Sequence, residues 1–378
     1  MSCRRVARPI RRSRLALISR RVAFAGLLAG LATTSTAWTA PTNNAFSQVP
    51  ARFNTRELTV GSRALGETCL SRAVFPDLTV CNPAFLGEVE ESRLLGRVFI
   101  GNGYAAISTA NQFIFKPISK EFLQELFQKG NITGLEAHAG LVFTTRHFST
   151  GFSPYRIQYL SEVHNPNFPV VAVHASVERA FQVATGYSLA EAGEGWEPFS
   201  VGVRLRILER QFVHGSFTLF DAITQDPRAL LPVQTQRVIF LDPVVGWVRN
   251  VSEWKLRASF GARNLGLHRP DTALYPEPFD LESGVGVEPP LGFGSLKLGV
   301  DFTDLIHGTD LASRPKLGAS YRLGILEAMA GWNAEAVTFG LQFGIEIVQV
   351  GIVYELMRKD LEGAHAQDRI ATEVSISL

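Results

Sequence analysis

Runs of alternating apolar and polar residues constrain this chain more than any other feature of its sequence. From 337 to 345 every odd position is Val, Phe, Leu or Ile, and every even position is Thr, Gly or Gln. Similar runs begin at positions 199, 254, 296 and 317. Clusters of Gly, Pro, Asn and Asp separate them, which is the pattern of strands joined by turns. Each run has roughly the 9–11 residues of a tilted membrane-spanning strand.

This alternation predicts an all-β chain in which each strand has one apolar and one polar face. After residue 37, no stretch of the sequence is apolar over the length of a transmembrane helix. In lipid, a closed barrel is the structure that satisfies the backbone of such strands. We therefore predict a transmembrane antiparallel β-barrel over residues 92–378, with twelve to fifteen alternating segments. A secreted soluble β-sandwich is the alternative that uses the same segments.

The N-terminus has the pattern of an export signal over residues 1–37. It holds eight arginines and no acid, followed by an apolar stretch at 22–32 and small residues around Ala37. We expect cleavage there and a location in the bacterial outer membrane. Without those arginines the formal charge falls from +2 to −6, which excludes a general nucleic-acid-binding surface.

Glycine recurs on the polar face of the predicted strands. A missing side chain on an inner face lets another backbone approach closely, which favours an occupied lumen over an open pore. We predict a leader and plug over residues 38–91, with 52–91 filling the barrel, so that their deletion should raise conductance. The glycines are Gly202, Gly261, Gly299, Gly318, Gly340, Gly344 and Gly351.

Charged residues also lie on the predicted inner face. They could form an anion-attracting passage or a site for a fatty-acid carboxylate. They could instead pair with one another, with Glu355 and with plug carboxylates, and we favour this second interpretation because buried charges need partners. These residues are Arg204, Arg206, Lys255, Arg257, Arg263, Lys297, Asp301 and Arg322.

The remaining chemistry is sparse. Cys69 and Cys81 are compatible with a disulfide or with two buried thiols. The spacing of histidines and cysteines predicts no metal site, and no motif indicates a cofactor. A lipase using His147 with Ser149 or Ser153 is conceivable, but nearness in sequence does not make a triad, and we predict no catalytic site.

Other segments predict the surroundings of the barrel. Residues 119–130 favour a short loop helix, 226–236 a weaker one, and 268–290 a long surface loop. The last eleven residues alternate as a closing strand, which the barrel-assembly machinery would read, although Leu378 replaces the usual terminal aromatic. Interfacial girdles facing membrane lipid are expected from Trp196, Trp247, Trp254, Trp332, Tyr104, Tyr155 and Tyr159.

Two short motifs resemble the FadL/PorV-like outer-membrane barrels. Gly61-Ser-Arg63-Ala-Leu-Gly66 is similar to their G-A-R-x-x-G segment, and Asn82-Pro83-Ala-Phe85-Leu to the N-P-A-G-L that follows it. The segment 260–266 resembles the r-N-L-G strand end of this superfamily, and the late strands match as well. The chain also resembles the plasmid-transfer TraF-like barrels. Phe85 departs from the pattern because it stands where the family has glycine.

The resemblance implies about 14 antiparallel strands with an N-terminal plug or hatch. It also implies two functions. A FadL-like channel would admit hydrophobic small molecules, such as a fatty-acid-like ligand, through an apolar pocket beside the plug. A PorV-like accessory barrel would conduct nothing and would bind envelope or secretion proteins through a large loop surface that includes 268–290.

Overall fold

The strands close into one antiparallel sheet in the computed structural model of the chain. The structure describes residues 56–72, 77–101, 119–121, 133–164, 170–192, 198–268, 277, 279–306, 314–345, 347–357 and 368–378. The predicted signal and leader, Tyr104, Trp196 and residues 122–130 of the predicted loop helix lie outside these ranges. The strands are β1 Arg93–Gly101, β2 Thr133–Thr144, β3 Phe148–His164, β4 Val170–Ser188, β5 Phe199–Thr218, β6 Gln234–Val251, β7 Trp254–Arg263, β8 Leu265–His268, β9 Asp280–Glu288, β10 Ser295–Phe302, β11 Pro315–Leu323, β12 Leu326–Trp332, β13 Ala336–Gly344, β14 Val348–Met357 and β15 Arg369–Ser377.

The ring closes between β5 and β6, where Arg204 pairs with Asp242. At the chain ends, β1 pairs with both β2 and β15. Strands β7 and β8 share one place beside β6, because Asn264 between them takes a positive φ of 59° and interrupts the strand. The fifteen described strands therefore fill fourteen positions in the ring, which confirms the predicted barrel. A single closed sheet also excludes the two-sheet sandwich.

Apolar side chains lie outside the ring and polar ones inside. On β13 the exposed fraction is 51% for Phe339 and 2% for Thr338. On β15 Ile376 is half exposed, whereas Glu373 and Ser375 are buried. This is the reverse of a soluble protein and is the arrangement that a lipid-facing barrel requires. Among the described residues, no helix is long and apolar enough to cross a membrane.

The two ends of the ring differ. At one end, here called the long-loop end, the gaps in sequence between consecutive strands include 102–132, 219–233, 269–279 and 303–314. At the other, the short-turn end, they include 145–147, 252–253, 324–325 and 345–347. Strands β3 to β6 have 17–20 residues, and β10 to β15 have 7–10. The longer strands therefore project further at the long-loop end.

Two short helices, α2 Leu219–Thr224 and α3 Pro227–Leu230, cover the outer face of this projection. Ala222 and Leu231 pack there against Phe217 and Tyr159, which is only 2% exposed. The prediction that Tyr159 belongs to an interfacial girdle is therefore wrong, because the helices bury its outward face. Tyr155 and Trp254 are half exposed on the outside of the ring.

Two loop predictions also need correction. Residues 280–288, predicted as part of the loop 268–290, form strand β9. Its acids and glycines concealed the alternation, since Asp280, Glu282 and Gly284 all face inward. The weaker helix at 226–236 is limited to α3, and β6 already begins at Gln234.

Candidate functional site

Residues 56–72 and 77–91, here called the interior segment, lie inside the ring. They contain the helix α1 Val60–Ala64 and a 3₁₀ helix Pro83–Glu88, and nearly all of their side chains up to Leu86 are buried. A Cβ added to Gly202 on β5 would lie 2.7 Å from Cα of Ala84, and one added to Gly318 on β11 would lie 2.7 Å from the carbonyl oxygen of Leu65. The segment therefore rests directly on the backbone of opposite walls.

Five of the seven predicted inward glycines lie directly beneath the interior segment, and we call this set the glycine seat. They are Gly202, Gly299, Gly318, Gly340 and Gly351, which lie against Ala84, Ser71, Leu65, Ala64 and Val60. Gly261 and Gly344 lie instead against the strand residues Val244 and Gln349. A larger residue in the seat would overlap atoms that have little freedom to move.

The first motif forms the turn of α1. The side chain of Thr59 accepts a hydrogen bond from the N–H of Ser62 and caps the helix. Gly61 faces Gln342, and Gly66, with a φ of +62°, donates from its N–H to the hydroxyl of Thr338 at 3.1 Å. Gly66 thus ends the helix in the left-handed conformation that glycine adopts without strain.

The second motif begins the 3₁₀ helix. Oδ1 of Asn82 accepts from the N–H of Ala84 at 3.2 Å, and its Nδ2 donates to the carbonyl of Leu70 at 2.5 Å. Pro83 follows at the first helical position, where its missing N–H costs nothing. Phe85 packs with Leu86 and Ala184 in a buried apolar cluster. Phe85, which stands where the resembled motif has glycine, therefore fills space at the wall.

A disulfide joins Cys69 to Cys81 within the interior segment, with the Cα atoms 5.7 Å apart. Both sulfurs are buried beside Leu58 and Val80. Of the two states compatible with the sequence, the structure contains the bonded one. The bond ties the part of the segment near α1 to the part before the 3₁₀ helix.

Asp301 on β10 holds this region to the wall. Its carboxylate accepts hydrogen bonds from three consecutive N–H groups, those of Cys69 and Leu70 at 2.7 Å and that of Ser71 at 3.0 Å. We expected Asp301 to pair with interior cations, whereas the structure places backbone donors on both of its oxygens. Such a concave row of amides binds an anion without any cationic side chain.

A ladder of alternating charges crosses the inner face from β14 to β5. The distance is 3.6 Å between Arg63 and Glu355, 2.9 Å between Arg156 and Glu136, and 3.2 Å between Arg210 and Glu277. Arg63 also contacts Glu136, and Arg210 contacts Glu178. In order, the members are Glu355, Arg63, Glu136, Arg156, Glu178, Arg210 and Glu277.

Most of the predicted lumen cations also have carboxylate partners. Arg204 and Arg206 share Asp242 at 2.6 and 2.8 Å. Arg263 on β7 lies within electrostatic range of the same carboxylate. Asp242 therefore offsets part of the positive charge that these three arginines place on the inner face of β5 to β7.

A second group surrounds Glu88 of the interior segment. Lys255 lies 2.5 Å from its carboxylate and Arg257 3.0 Å, while Arg257 also pairs with Glu288 at 2.5 Å. Lys297 lies at 3.9 Å from Glu288. These contacts agree with the interpretation that the inner charges hold the interior together.

Arg322 differs from the other predicted lumen cations. It lies exposed at the short-turn end of β11, and its Nε donates to the carbonyl of Gly324 at 3.3 Å. It therefore lies at the rim of the barrel and not in the lumen proper.

The ionisation of the interior segment follows from these contacts. Burial opposes ionisation of Glu67, but Lys316, with Nζ 2.7 Å away, outweighs it and holds the pKa of Glu67 below its ordinary value. Burial acts in the same way on Glu88, yet hydrogen bonds from Arg257 and Lys255 keep its pKa low. Burial would lower the pKa of Arg63, and Glu136 with Glu355 raises it instead.

A cavity of about 40 Å³ lies above Arg63, toward the long-loop end. Its walls include Glu136, Gln158, Glu355 and Arg369. The space can hold a few water molecules. Leu135, Leu160 and Ala371 complete a lining that is mostly apolar, but the space is too small for the hydrophobic ligand expected beside the plug of a FadL-like channel.

The barrel wall is interrupted on both sides of β3. Its pairing with β4 shifts register between Ser153 and Arg156, and its pairing with β2 shifts opposite Gly140. Pro154 lies in the interruption and has no N–H to donate to the ladder. Inside the wall at this point is Glu57 of the interior segment, which accepts from the hydroxyl of Ser153 and lies 2.7 Å from Arg97.

The residues of the conceivable lipase site are engaged elsewhere. Nδ1 of His147 lies 3.1 Å from the carbonyl oxygen of Gly186. The hydroxyl of Ser149 contacts Thr79 and Thr144, and that of Ser153 contacts Glu57. The structure does not bring His147 together with Ser149 or Ser153 as a base and nucleophile. Among the described residues, no cluster of three potential metal ligands is present.

The sequence reasoning missed several charged residues of the inner face. Asp242, Glu136, Arg156, Glu178 and Arg210 all lie on inward faces of β2 to β6. The alternation itself could have found Arg210, because it continues the register of Arg204 and Arg206. The register shift at β3 hid the inward position of Arg156.

No protein-family model matches the sequence, and no curated relative matches it. Solved structures that resemble it include the toluene transporter TbuX from Ralstonia pickettii, with 10% identity and a TM-score of 0.48 over 86% of this chain and 98% of that one. The toluene transporter TodX from Pseudomonas putida has 8% identity and a TM-score of 0.46 over 86% and 98%. CdiB from Acinetobacter baumannii has 9% identity and a TM-score of 0.34 over 77% of this chain, which spans only 60% of that chain. The class of this protein, a closed antiparallel membrane-type β-barrel with an occupied interior, rests on its own pairings and burial.

Proposed function

We propose that this protein is an outer-membrane channel of the FadL type, which admits small hydrophobic molecules and releases them sideways through the wall at β3. The apolar exterior and polar interior support a location in a membrane. The observation that carries the transport proposal is the interruption of the ladder on both sides of β3, at Pro154. An opening there would connect the interior with the lipid rather than with water.

Energetics favour this sideways route over a straight one. A straight path requires displacement of the interior segment, which breaks buried ion pairs such as Arg97 with Glu57, and each unpaired buried charge costs about 3–5 kcal/mol. Widening the interruption at Pro154 breaks a few neutral backbone hydrogen bonds, each with a net contribution of about 1 kcal/mol. A hydrophobic solute also avoids water when it leaves into the bilayer.

A non-conducting accessory barrel for envelope or secretion proteins is the second candidate. The observation that favours it is the density of the seat beneath the interior segment, where Ser71, Leu65 and Ala84 lie directly on strand backbones. In that case the segment would be a permanent part of the core. The long-loop end would present the binding surface.

Two engineered disulfides, which can be formed and reduced again, test the sideways route. Ala139 and Tyr155 are register partners beside the interruption, and Ala328 and Leu341 are register partners in the regular ladder of β12 and β13. Each pair is replaced by cysteines in the full chain, and toluene uptake is measured in cells that lack other hydrocarbon channels. We expect the oxidised Ala139→Cys/Tyr155→Cys pair to reduce uptake several-fold, with recovery after mild reduction, and the Ala328→Cys/Leu341→Cys pair to leave it unchanged.

Other results would reject the proposal. Equal uptake with both engineered disulfides would exclude an exit at β3. Uptake no greater than in cells without the protein would exclude the channel, and a stable protein partner with no bound lipid in mass spectra of the purified barrel would then support the accessory barrel. Recovery of the folded chain from the soluble periplasm would exclude either function.

A further inference from the structure

Large apolar side chains are exposed on three neighbouring turns at the short-turn end. We call this set the apolar turn arc, and it consists of Leu291, Phe293, Ile325, Ile345 and Ile347. Phe293 is 68% exposed, Ile325 52% and Ile347 56%. Turns that face water are normally built from Gly, Pro, Asn, Asp and Ser, so an exposed apolar set of this size indicates a surface that meets something other than water.

Hydrogen bonds connect the three turns into one continuous rim. The hydroxyl of Tyr321 donates to the carbonyl of Phe293 at 3.2 Å, and the N–H of Gly344 donates to the carbonyl of Ile325 at 2.9 Å. The N–H of Ser377 donates to the carbonyl of Ile347 at 2.7 Å. The arc therefore runs without a break from the end of β9 to the last strand.

The arc continues the lipid-facing surface of the strands. Leu326 and Phe343 are register partners immediately beside Ile325, and both are exposed on the outer face. Val350 and Ile376 extend the same outer face on β14 and β15. No polar collar separates these strand residues from the described turn residues, whereas interfaces of membrane barrels normally carry one. Glu346 lies outside the described residues.

The length of the short strands independently indicates that their turns lie at the edge of the hydrocarbon. A strand of nine residues, such as β13 or β15, extends about 30 Å, and a tilt of about 40° reduces its height to about 23 Å. The apolar band of a membrane barrel is about 25 Å tall. The short strands therefore need their whole length to cross it, and their turns reach the edge of the hydrocarbon.

The long strands show the contrasting arrangement. On their outer face, Arg179, Glu209 and Arg237 lie side by side across β4, β5 and β6, with 3.2 Å between Arg237 and Glu209. This row of charged residues ends the apolar outer surface of the long strands on the side of the long-loop end. At their short-turn end, the β6–β7 connection exposes the polar residues Ser252 and Glu253.

We infer that the apolar turn arc is inserted into the leaflet of the outer membrane that it faces, with acyl chains and the adjoining headgroups as its partner. The inserted turns supply the apolar height that the short strands lack by themselves. The inference rests on the membrane location in the proposed function but not on transport.

Depth-dependent quenching tests the insertion. In the full chain with Cys3→Ser, single cysteines are introduced as Ile325→Cys in the arc, Glu253→Cys on the polar turn and Phe339→Cys in the lipid-facing band. Each is labelled with an environment-sensitive fluorophore in phosphatidylcholine–phosphatidylglycerol vesicles, since Cys69 and Cys81 are bonded and buried. Quenching by iodide in the water and by spin labels on the acyl chains is then compared, after heat-modifiable migration on gels has verified folding.

We expect the Ile325 label to be quenched several-fold more by acyl-chain spin labels, and several-fold less by iodide, than the Glu253 label. Equal behaviour of these two labels would overturn the insertion. Protection of the Ile325 label from both quenchers would also overturn it, and would indicate a covering protein or a second copy of the chain. Failure of acyl-chain quenching at Phe339 would instead reject the membrane location itself, and Phe293→Cys provides a second arc position should Ile325→Cys not fold.

Discussion

The carboxylate of Asp301 on β10 accepts a hydrogen bond of 2.7 Å from the backbone N–H of Cys69. The next two amides, those of Leu70 and Ser71, bind the same carboxylate. A single inward charge on the wall thereby fixes the point of the interior segment at which the disulfide begins. The barrel and its contents are thus one structure rather than a channel with a loose obstruction.

Replacement of Asp301 tests this attachment. Asp301→Asn removes the negative charge and one acceptor, so three amides compete for one oxygen. We expect a loss of about 2–4 kcal/mol in the free energy of unfolding, since hydrogen bonds to charged groups contribute about 1.5–3 kcal/mol each. The measurement is urea unfolding in lipid vesicles, followed by gel mobility. Asp304→Asn, on an exposed residue just beyond the same strand, is the matched control. Equal loss in both variants would contradict the role of Asp301.

The glycine seat can be tested with one methyl group. In Gly202→Ala the new Cβ would overlap the backbone of Ala84, so the segment must shift or the variant must lose about 1–3 kcal/mol in the free energy of unfolding. Gly292→Ala is the control, because a Cβ there has open space around it. Hydrogen exchange of the interior segment should rise in the first variant alone. Unchanged exchange at Gly202→Ala would argue against a tightly seated segment.

The disulfide should stabilise the interior segment chiefly by restricting the unfolded chain. Cys69 and Cys81 are 12 residues apart, and a closed loop of this size contributes about 3 kcal/mol. We therefore expect Cys69→Ser/Cys81→Ser to unfold at lower urea concentration, with the barrel still formed. Cys69→Ala/Cys81→Ala serves as a second variant, which separates the loss of the bond from the introduction of buried hydroxyl groups. A double variant as stable as the parent would show that packing alone fixes the segment.

Acid should release the interior segment. The pKa values of Glu67 and Glu88 are lowered from the ordinary 4.5, so both residues bind protons less readily in the folded chain than in the unfolded one. Their stabilisation is complete above a pH of about 4.5 and is lost as the pH falls through the lowered folded-state values.

The predicted loss of stability on acidification is tested by measuring unfolding midpoints across pH 3–7, which is roughly the range in which carboxyl groups titrate. We expect the parent midpoint to fall below a pH of about 4.5. The Glu67→Gln/Glu88→Gln variant should be less stable at neutral pH and have a flatter profile. Glu253→Gln, on an exposed turn, should behave as the parent does. A parent midpoint that rises on acidification would contradict the assignment of both ion pairs.

Much of the barrel could be predicted because its main rule is local. An inward or outward position follows from odd or even numbering, so residues such as Phe339 and Thr338 were placed correctly from one strand alone. The close approach at Gly318 could also be anticipated, since a missing Cβ on an inner face has few other uses. The alternation failed as a guide in two places. Strand β9, Asp280–Glu288, was missed because its acids and glycines conceal the pattern. Tyr159 was placed at the lipid surface because the helices that cover the outer face there could not be foreseen.

The partners of individual charges could not be predicted in this way. Asp301 and Glu88 both face the interior, yet one binds three amides and the other binds Lys255 and Arg257. Those pairs are separated by between 167 and 232 residues in the chain. The two-residue repeat of a strand cannot predict contacts between residues so far apart in the sequence, because it does not show which strands contact the interior segment.

The sequence by itself determined that this chain alternates as membrane-spanning strands, with glycines and charges on one face. These properties depend on neighbouring residues and on the two-residue repeat of a strand. Only the tertiary structure decided that β5 closes on β6, which strands the interior segment rests on and which charges pair with it. It also decided that the wall is interrupted at Pro154 and that the exposed apolar turns adjoin one another, because both depend on how separate strands lie side by side.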